Sequence, residues 1–500
     1  MRVDQGPNGE RTASPAGVLH FALGTVAPPS TALLPSSARG SGAGGAFYTT
    51  DLTVANTGAA PTSFVLKFLG NNADGRNGPE RSFTLATGAS TTFPDVLGSV
   101  FGLTSGFGAI RIASASDAVR VLSQTSTPGF GGTFGQSVPA SRAEDLVTSG
   151  TPRSILAVRE DGSFRTNLIL ANAGEDPLDV DVTLVANSGE VLVAPARRYT
   201  LPPLGMTQVT RVVRALGVTA DVSGARLVVS TPSAGRSFAA YAATIDNVTN
   251  DPRTLLPVAP IVSARPAPDT WLLPSSARAS GAGGAFYTTD LTIAYTGTVG
   301  ARFTLKFLGN NADGRGGQES TFDLGAGKSV TYNDVLGSVF QRTSDYGALR
   351  VASQGPASDT NFIGVLAQTS TPGFGGTFGQ SVQAATAADL IRSGTARSLL
   401  AVAEDDSFRT NLILANATEG ALDVDVQLVS AEGAPLASKR YTLAPLGMTQ
   451  VTKVVRDLGI SGNLRGARLV LSTPTAGGAF AAYASAIDNV TNDPRTLLPR

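Results

Sequence analysis

Short runs in which apolar and polar side chains alternate recur along the chain in four sets. Phe64, Leu66 and Phe68 alternate with Val65 and Lys67, and Val180, Val182 and Leu184 with Asp179, Asp181 and Thr183. Phe303, Leu305 and Phe307 alternate with Thr304 and Lys306, and Val424, Val426 and Leu428 with Asp423, Asp425 and Gln427. A period of two marks a strand with one buried face. Wound into a helix, the same segments would turn Asp179 and Asp423 partly onto the apolar side; as strands they keep them in water.

Each set is followed by one brief helical signal. Asp95 is placed to cap 96–101, and Thr210 to cap the run with Val212, Val213 and Leu216, after which Gly217 suits a left-handed C′ position. Asp334 repeats the first arrangement, and Thr452, Val454, Val455, Leu458 and Gly459 repeat the second. Arg211 and Arg214 should face solvent. A crossover of one or two turns between two sheets is expected, with a hairpin closing each unit over 109–126 and over 225–246. Short strands separated by turns every eight to twelve residues form the pattern of a β-sandwich.

The sets are copies. LLPSSARGSGAGGAFYTTDLTVA from Leu33 returns as LLPSSARASGAGGAFYTTDLTIA from Leu272, and IDNVTNDPRTLLP occurs from Ile245 and from Ile487. An older repeat lies within each cassette: TTDLTVANTG at Thr49 matches RTNLILANAG at Arg165, so Leu52, Leu168, Leu291 and Leu412 are equivalent anchors. The organisation expected is A-B-A-B: an extension at 1–30, sandwiches at 31–142 and 151–260, a proline-rich linker at 261–270, and sandwiches at 271–386 and 395–500. The linker stiffens the chain towards an extended form.

Phe-x-Thr-Asn/Asp-Leu-x-x-Ala-Asn, as in 164–172, and Gly-Gly-Thr-Phe-Gly-Gln at 131–136 resemble the immunoglobulin-like tandem modules of bacterial secreted and surface proteins. The resemblance covers nearly all of the chain beyond residue 30. It implies an all-β fold of four tandem sandwiches and an extracellular or cell-surface location, and it brings no catalytic motif. The disulfide and core tryptophan of antibody domains are absent.

Composition narrows the chemistry. Lys+Arg and Asp+Glu both total 38, so no net field draws nucleic acid or an anionic membrane. No stretch nears the ~20 apolar residues that span a bilayer, so membrane insertion is not expected. With no cysteine, neither disulfides nor thiolate metal sites can form. His20, the single histidine, lies outside every repeat, which excludes a repeated Ser-His or Cys-His site. No signal peptide is legible in the first thirty residues, and a removed leader or a longer secreted parent is the favoured explanation.

A few clusters bear on binding. Glu160-Asp161 and Glu404-Asp405-Asp406 read as solvated turns and not as a carboxylate pair for hydrolysis. Asn71, Asn72, Asp74 and Gly75, and the Asp246 and Asp488 segments, are oxygen-rich. Their register departs from a calcium loop, so turn chemistry is preferred, with calcium the one cation left open. Asn247, Asn416 and Asn489 head glycosylation sequons. Phe130 and Phe134, in the glycine-rich segment 127–136 that returns at 371–380, suit folding back over the sandwich, stacking on a sugar or docking on a neighbour; folding back is preferred. Leu19, Phe21 and Leu23 form one apolar face of a strand at 15–27.

No catalytic, cofactor or metal residue is assigned, and the ligand-binding residues stay unidentified. The function expected is a non-enzymatic extracellular structural or adhesive protein, its units acting as spacers and contact surfaces for a protein or glycan. Two alternatives remain: a carbohydrate-binding accessory region of a secreted hydrolase, and a fibre subunit that self-associates by strand addition through 15–27.

Overall fold

The computed structural model describes residues 30–258, 270–353 and 363–500. The strand expected at 15–27, His20 and the linker up to residue 269 lie outside the described residues. The chain is nearly all-β, with six antiparallel sheets in a sandwich-like arrangement.

The first unit supplies β1 (Ser30–Ser41), β2 (Phe47–Asn56), β3 (Thr62–Gly70), β4 (Glu80–Leu85), β5 (Ser90–Phe93), β6 (Gly106–Ser114), β7 (Val119–Gly129) and β8 (Gly132–Pro139). They run in the order β4-β3-β6-β1-β2-β7-β8, with β5 on β2. Strand β1 pairs with β6 and, through residues 39–41, with β2, so it joins two layers. The second unit supplies β9 (Val147–Thr148), β10 (Arg153–Glu160), β11 (Phe164–Asn172), β12 (Leu178–Val185), β13 (Arg197–Leu201), β14 (Met206–Val209), β15 (Val222–Ser230), β16 (Ser237–Asp246) and β17 (Pro252–Leu255). Here the layers are separate sheets, β10-β15-β12-β13 and β14-β11-β16-β17, with β9 on β16. Residues 270–383 repeat the first pattern and 391–497 the second.

The alternating runs are strands with the expected faces: Phe64, Leu66 and Phe68 on β3 and Val180, Val182 and Leu184 on β12 are buried, while Lys67, Asp179 and Asp181 are not. The crossover helices are present as single turns, α1 (Val96–Ser99) and α2 (Val212–Ala215), and again at Val335–Ser338 and Val454–Asp457. Asp95 and Asp334 cap as expected, accepting from the amides of Gly98 and Gly337. Gly217 and Gly459 adopt φ of 89° and 88°, where an L side chain is strained.

Three expectations are corrected. The N-caps of α2 and of Val454–Asp457 are Arg211 and Lys453, not Thr210 and Thr452, and neither side chain caps its helix. Glu160 and Glu404 supply the missing acceptors. Glu160 is fully buried at the end of β10, where its Oε2 accepts from the Val213 amide at 3.2 Å; Glu404 accepts from Val455 and Arg456 at 3.2 and 3.1 Å. They are not solvated turns; that description fits only the residues beside them, such as Asp161, which accepts from Ser163 and Phe164. Lastly, 109–126 and 225–246 are not hairpins. Strand β6 pairs with β1 and β3 while β7 pairs with β2 and β8, so the connection arches between layers; β15 and β16 do the same. The true hairpin is β7–β8, with Phe130 and Gly131 at its tip.

Burial holds the Glu160 carboxyl above its ordinary range, against the helix amides and Arg214, which pull it down. Replacing Glu160 with alanine leaves the start of α2 without a buried acceptor. Glu160→Ala is expected to cost about 1–3 kcal/mol in urea unfolding, and a loss below a few tenths would show that water serves as well.

The units do not follow one another as separated beads. The face of β14-β11-β16 turned away from its own core, with Ile169, Ala171, Met206 and Tyr241, shares a hydrophobic cluster with β1, β3 and β6. Ala55 and Leu122 of the first unit join the core of the fourth, and Ala294 and Leu366 of the third join that of the second. The contacts occur in pairs related by the cassette duplication, which gives the body an approximate two-fold axis. Gly75 shows how close the approach is: a Cβ there would lie 2.1 Å from the Leu204 carbonyl oxygen, and one at Gly314 2.1 Å from that of Leu446.

Candidate functional site

Polar chemistry gathers at the junction on the approximate axis and in a groove between the third and fourth units.

The junction forms where β8 and β17 meet their copies, Gly376–Gln383 and Pro494–Leu497. Asp246 makes an Asx-turn with one oxygen, accepting from Val248 and Thr249, and reaches the other cassette with Oδ2, which accepts from the Thr377 amide at 2.9 Å and its hydroxyl at 3.0 Å. Asp488 does the same to Thr133, at 2.9 and 2.8 Å. Behind them, Asp251 accepts from the Gly379 amide at 2.9 Å and Asp493 from Gly135 at 2.8 Å. Both carboxyls are fully buried and interact across the axis, with Arg253 3.6 Å from Asp251 and Arg495 4.0 Å from Asp493. Burial raises both well above the usual carboxylate range; the neighbouring charge of Asp251 raises Asp493 further, and the arginines oppose the shift. Each buried carboxylate thus disfavours ionisation of the other.

At one end of the axis, Phe130 stacks on Phe374 at 4.5 Å between ring centres, over buried Phe134 and Phe378. Folding back therefore describes Phe134 and Phe378 alone. Phe130 docks on the equivalent loop of the other cassette, 56% exposed.

The groove has a volume of about 480 Å³, within the ~300–1,000 Å³ usual for ligand clefts. Its floor is the outer face of the sheet built on Phe408–Asn416, where Arg409, Asn411 and Ile413 lie opposite Ile487, Ser485 and Tyr483. Thr410, Leu412 and Leu414 point the other way, into their own core. Alternate residues Ser275, Ala277 and Ala279 of Thr270–Ser280 make one wall. Ser485 donates to Gln380 at 2.9 Å, the Tyr287 hydroxyl donates to the Asn492 carbonyl at 2.8 Å, and burial pushes Tyr483 up to about 12.

The oxygen-rich turns are occupied by contacts within the chain. Asn71 and Asn72 accept from the Gln208 amide and the Thr207 hydroxyl, and Asp74 caps a short 3-10 turn while pairing with Arg76. Among the described residues no group of three or more His, Cys, Asp or Glu gathers around a metal position, and no helix is long and apolar enough to cross a membrane. Of the sequons, Asn416 is buried, with its amide nitrogen donated to Gly420 and Ala444, so a glycan there is incompatible with the fold. Asn247 and Asn489 bond Arg165 and Arg409.

Sequence reasoning missed the junction and the groove. One signal was legible: 168–171 and 238–245 are nearly uninterrupted apolar runs, as strands buried on both faces require.

No protein-family model matches the chain, and no curated protein compared with it matches.

Proposed function

We propose that the chain is a non-enzymatic extracellular structural or adhesive protein, whose four immunoglobulin-like units act as one block that presents an apolar pole to a protein surface. One observation carries this reading. Phe130 and Phe374 stand 56% and 40% exposed at hairpin tips, in left-handed conformations with φ of 51° and 55°. A left-handed residue other than glycine costs about 1–2 kcal/mol, and an exposed aromatic ring gains little from water. Val490 and Val248, 55% and 56% exposed, extend the patch on either side, within 4 Å of where side chains at Gly131 and Gly375 would begin. A contiguous apolar patch of this kind marks a contact surface, and strain at its tips fits a functional site.

Asparagine accepts the left-handed conformation and removes the apolar surface. The double variant Phe130→Asn/Phe374→Asn should keep its circular dichroism and thermal midpoint. Beads coated with it should be retained on protein-coated surfaces under flow several-fold less than beads coated with the native chain. Undiminished retention by a folded variant sinks the reading. A second reading, a carbohydrate-binding accessory role, is favoured by the groove.

A further inference from the structure

We propose that the groove between Thr270–Ser280 and the outer face of the sheet built on Phe408–Asn416 binds an acidic oligosaccharide. Charge is the first argument. The lining carries two cations, Arg409 and Lys453, and no carboxylate. Arg409 is held by neutral partners, donating to Asn489 Oδ1 at 3.0 Å and Asn492 Oδ1 at 2.8 Å, so no touching anion cancels its charge. Burial without a contacting carboxylate shifts its pKa downwards. Lys453 is exposed at the groove's edge and forms no ion pair among the described residues. Asp488 and Asp493 lie behind the floor but turn to Thr133 and Gly135 in the first unit. The groove therefore offers positive charge to whatever enters.

The remaining lining fixes the ligand class. Gln450 and Thr452 present an amide and a hydroxyl, groups that both donate and accept, as sugar hydroxyls do, while Asn411, whose Oδ1 accepts from the Lys453 amide, adds its amide N–H groups, and the Thr369 hydroxyl is bonded to that of Thr289. Between them, Ile413 and Ile487 of the floor and Ala277 and Ala279 of the wall give an apolar lining that suits the C–H face of a pyranose ring. Tyr346, whose hydroxyl accepts from Asn310 at 3.0 Å, adds an aromatic edge. An acidic peptide fits less well: Phe408–Asn416 is paired along its whole length with Ala479–Asp488 and over Leu412–Ala415 with Met448–Val451, which leaves only the short stretch 408–411 without a strand partner on one side. The proposal deepens the second, carbohydrate-binding reading.

Calorimetry on the full chain tests it with three probes: tetragalacturonate, neutral galactotetraose and tetraglutamate. Arg211 holds the position between the first two units that Lys453 holds here, so the variant is Arg211→Gln/Lys453→Gln. Tetragalacturonate is expected to bind, to weaken with added salt, and to lose about twofold to fivefold in affinity in the variant, as loss of one exposed charge contact implies. Lys439→Gln, on the far strand Pro435–Leu443 and paired with Asp457, should bind as the native chain does. No binding of tetragalacturonate, equal binding of galactotetraose, or an unchanged affinity in the double variant overturns the proposal. Tighter binding of tetraglutamate overturns it in favour of an acidic peptide. Galactotetraose binding that the variant leaves intact would keep the carbohydrate reading while removing this site.

Discussion

Arg495→Met is expected to destabilise the protein by about 3–5 kcal/mol at neutral pH, because it leaves a buried carboxylate without its cation. Arg495 is almost wholly buried, 4.0 Å from Asp493, donates to the Thr133 hydroxyl, and lies 5.1 Å over the Phe408 ring. Methionine keeps most of the volume and the ring contact, so the change removes the charge together with the hydrogen bond to Thr133. Asp251, Asp493, Asp246 and Asp488 would then share the junction with Arg253 alone. Urea unfolding at pH 5 and pH 8 measures the loss, which should be markedly smaller at pH 5, where the pair can take up protons. A pH-independent loss would mean that packing, not charge, explains it.

The native chain has a matching pH dependence. Asp251 is pushed up to about 7 by burial, and Asp493 is raised too. A carboxyl whose folded pKa lies above its unfolded value of about 3.9 stabilises the fold fully below that unfolded value, and the contribution fades as pH rises through the folded one. The junction therefore weakens between pH 4 and 7. Asp161 and Asp405, held low chiefly by hydrogen bonds from arginine and backbone amides that outweigh burial, act in the opposite sense and lose their contribution in acid. Asp251→Asn should flatten the slope between pH 4 and 7 and leave the acid limb unchanged.

Strand identity and facing were legible because each run buries one side, and burial of alternate side chains is written directly into residue order. The crossover helices were legible for the same local reason, down to Asp95. What failed was every feature fixed by residues distant in sequence. Glu160 sits beside Asp161 in a turn-like stretch, yet its carboxylate is taken by an amide 53 positions away in α2. The 109–126 segment has hairpin punctuation, but hydrogen bonding assigns its two strands to different layers. The junction could not be read at all, since Asp246 and Asp251 satisfy ordinary turn rules locally and only the second cassette reveals their other partners. The groove has the same origin: its floor is a sheet face that reads as exposed and polar at Arg409 and Asn411 until Thr270–Ser280 is set against it.

That dependence on distant partners makes the second large effect a test of whether the cassettes stabilise one another. Phe134 is fully buried, with Phe374 and Phe378 of the other cassette 5.9 and 5.8 Å away between ring centres. Phe134→Ala should cost about 3–5 kcal/mol, the range for emptying a buried aromatic site, whereas exposed Phe130 should cost far less on the same change. Because the rings touch, Phe134→Ala and Phe378→Ala should not add; a coupling of about 0.5–1.5 kcal/mol is expected from aromatic contact. Hydrogen exchange locates the consequence. If the junction is one cooperative structure, Phe134→Ala accelerates exchange not only around 127–136 but also at the amides of Thr377 and Gly379, which bond Asp246 and Asp251 some 128 to 131 residues away. Full protection at those two amides, with loss confined to the mutated hairpin, would show that each cassette holds its half of the junction alone.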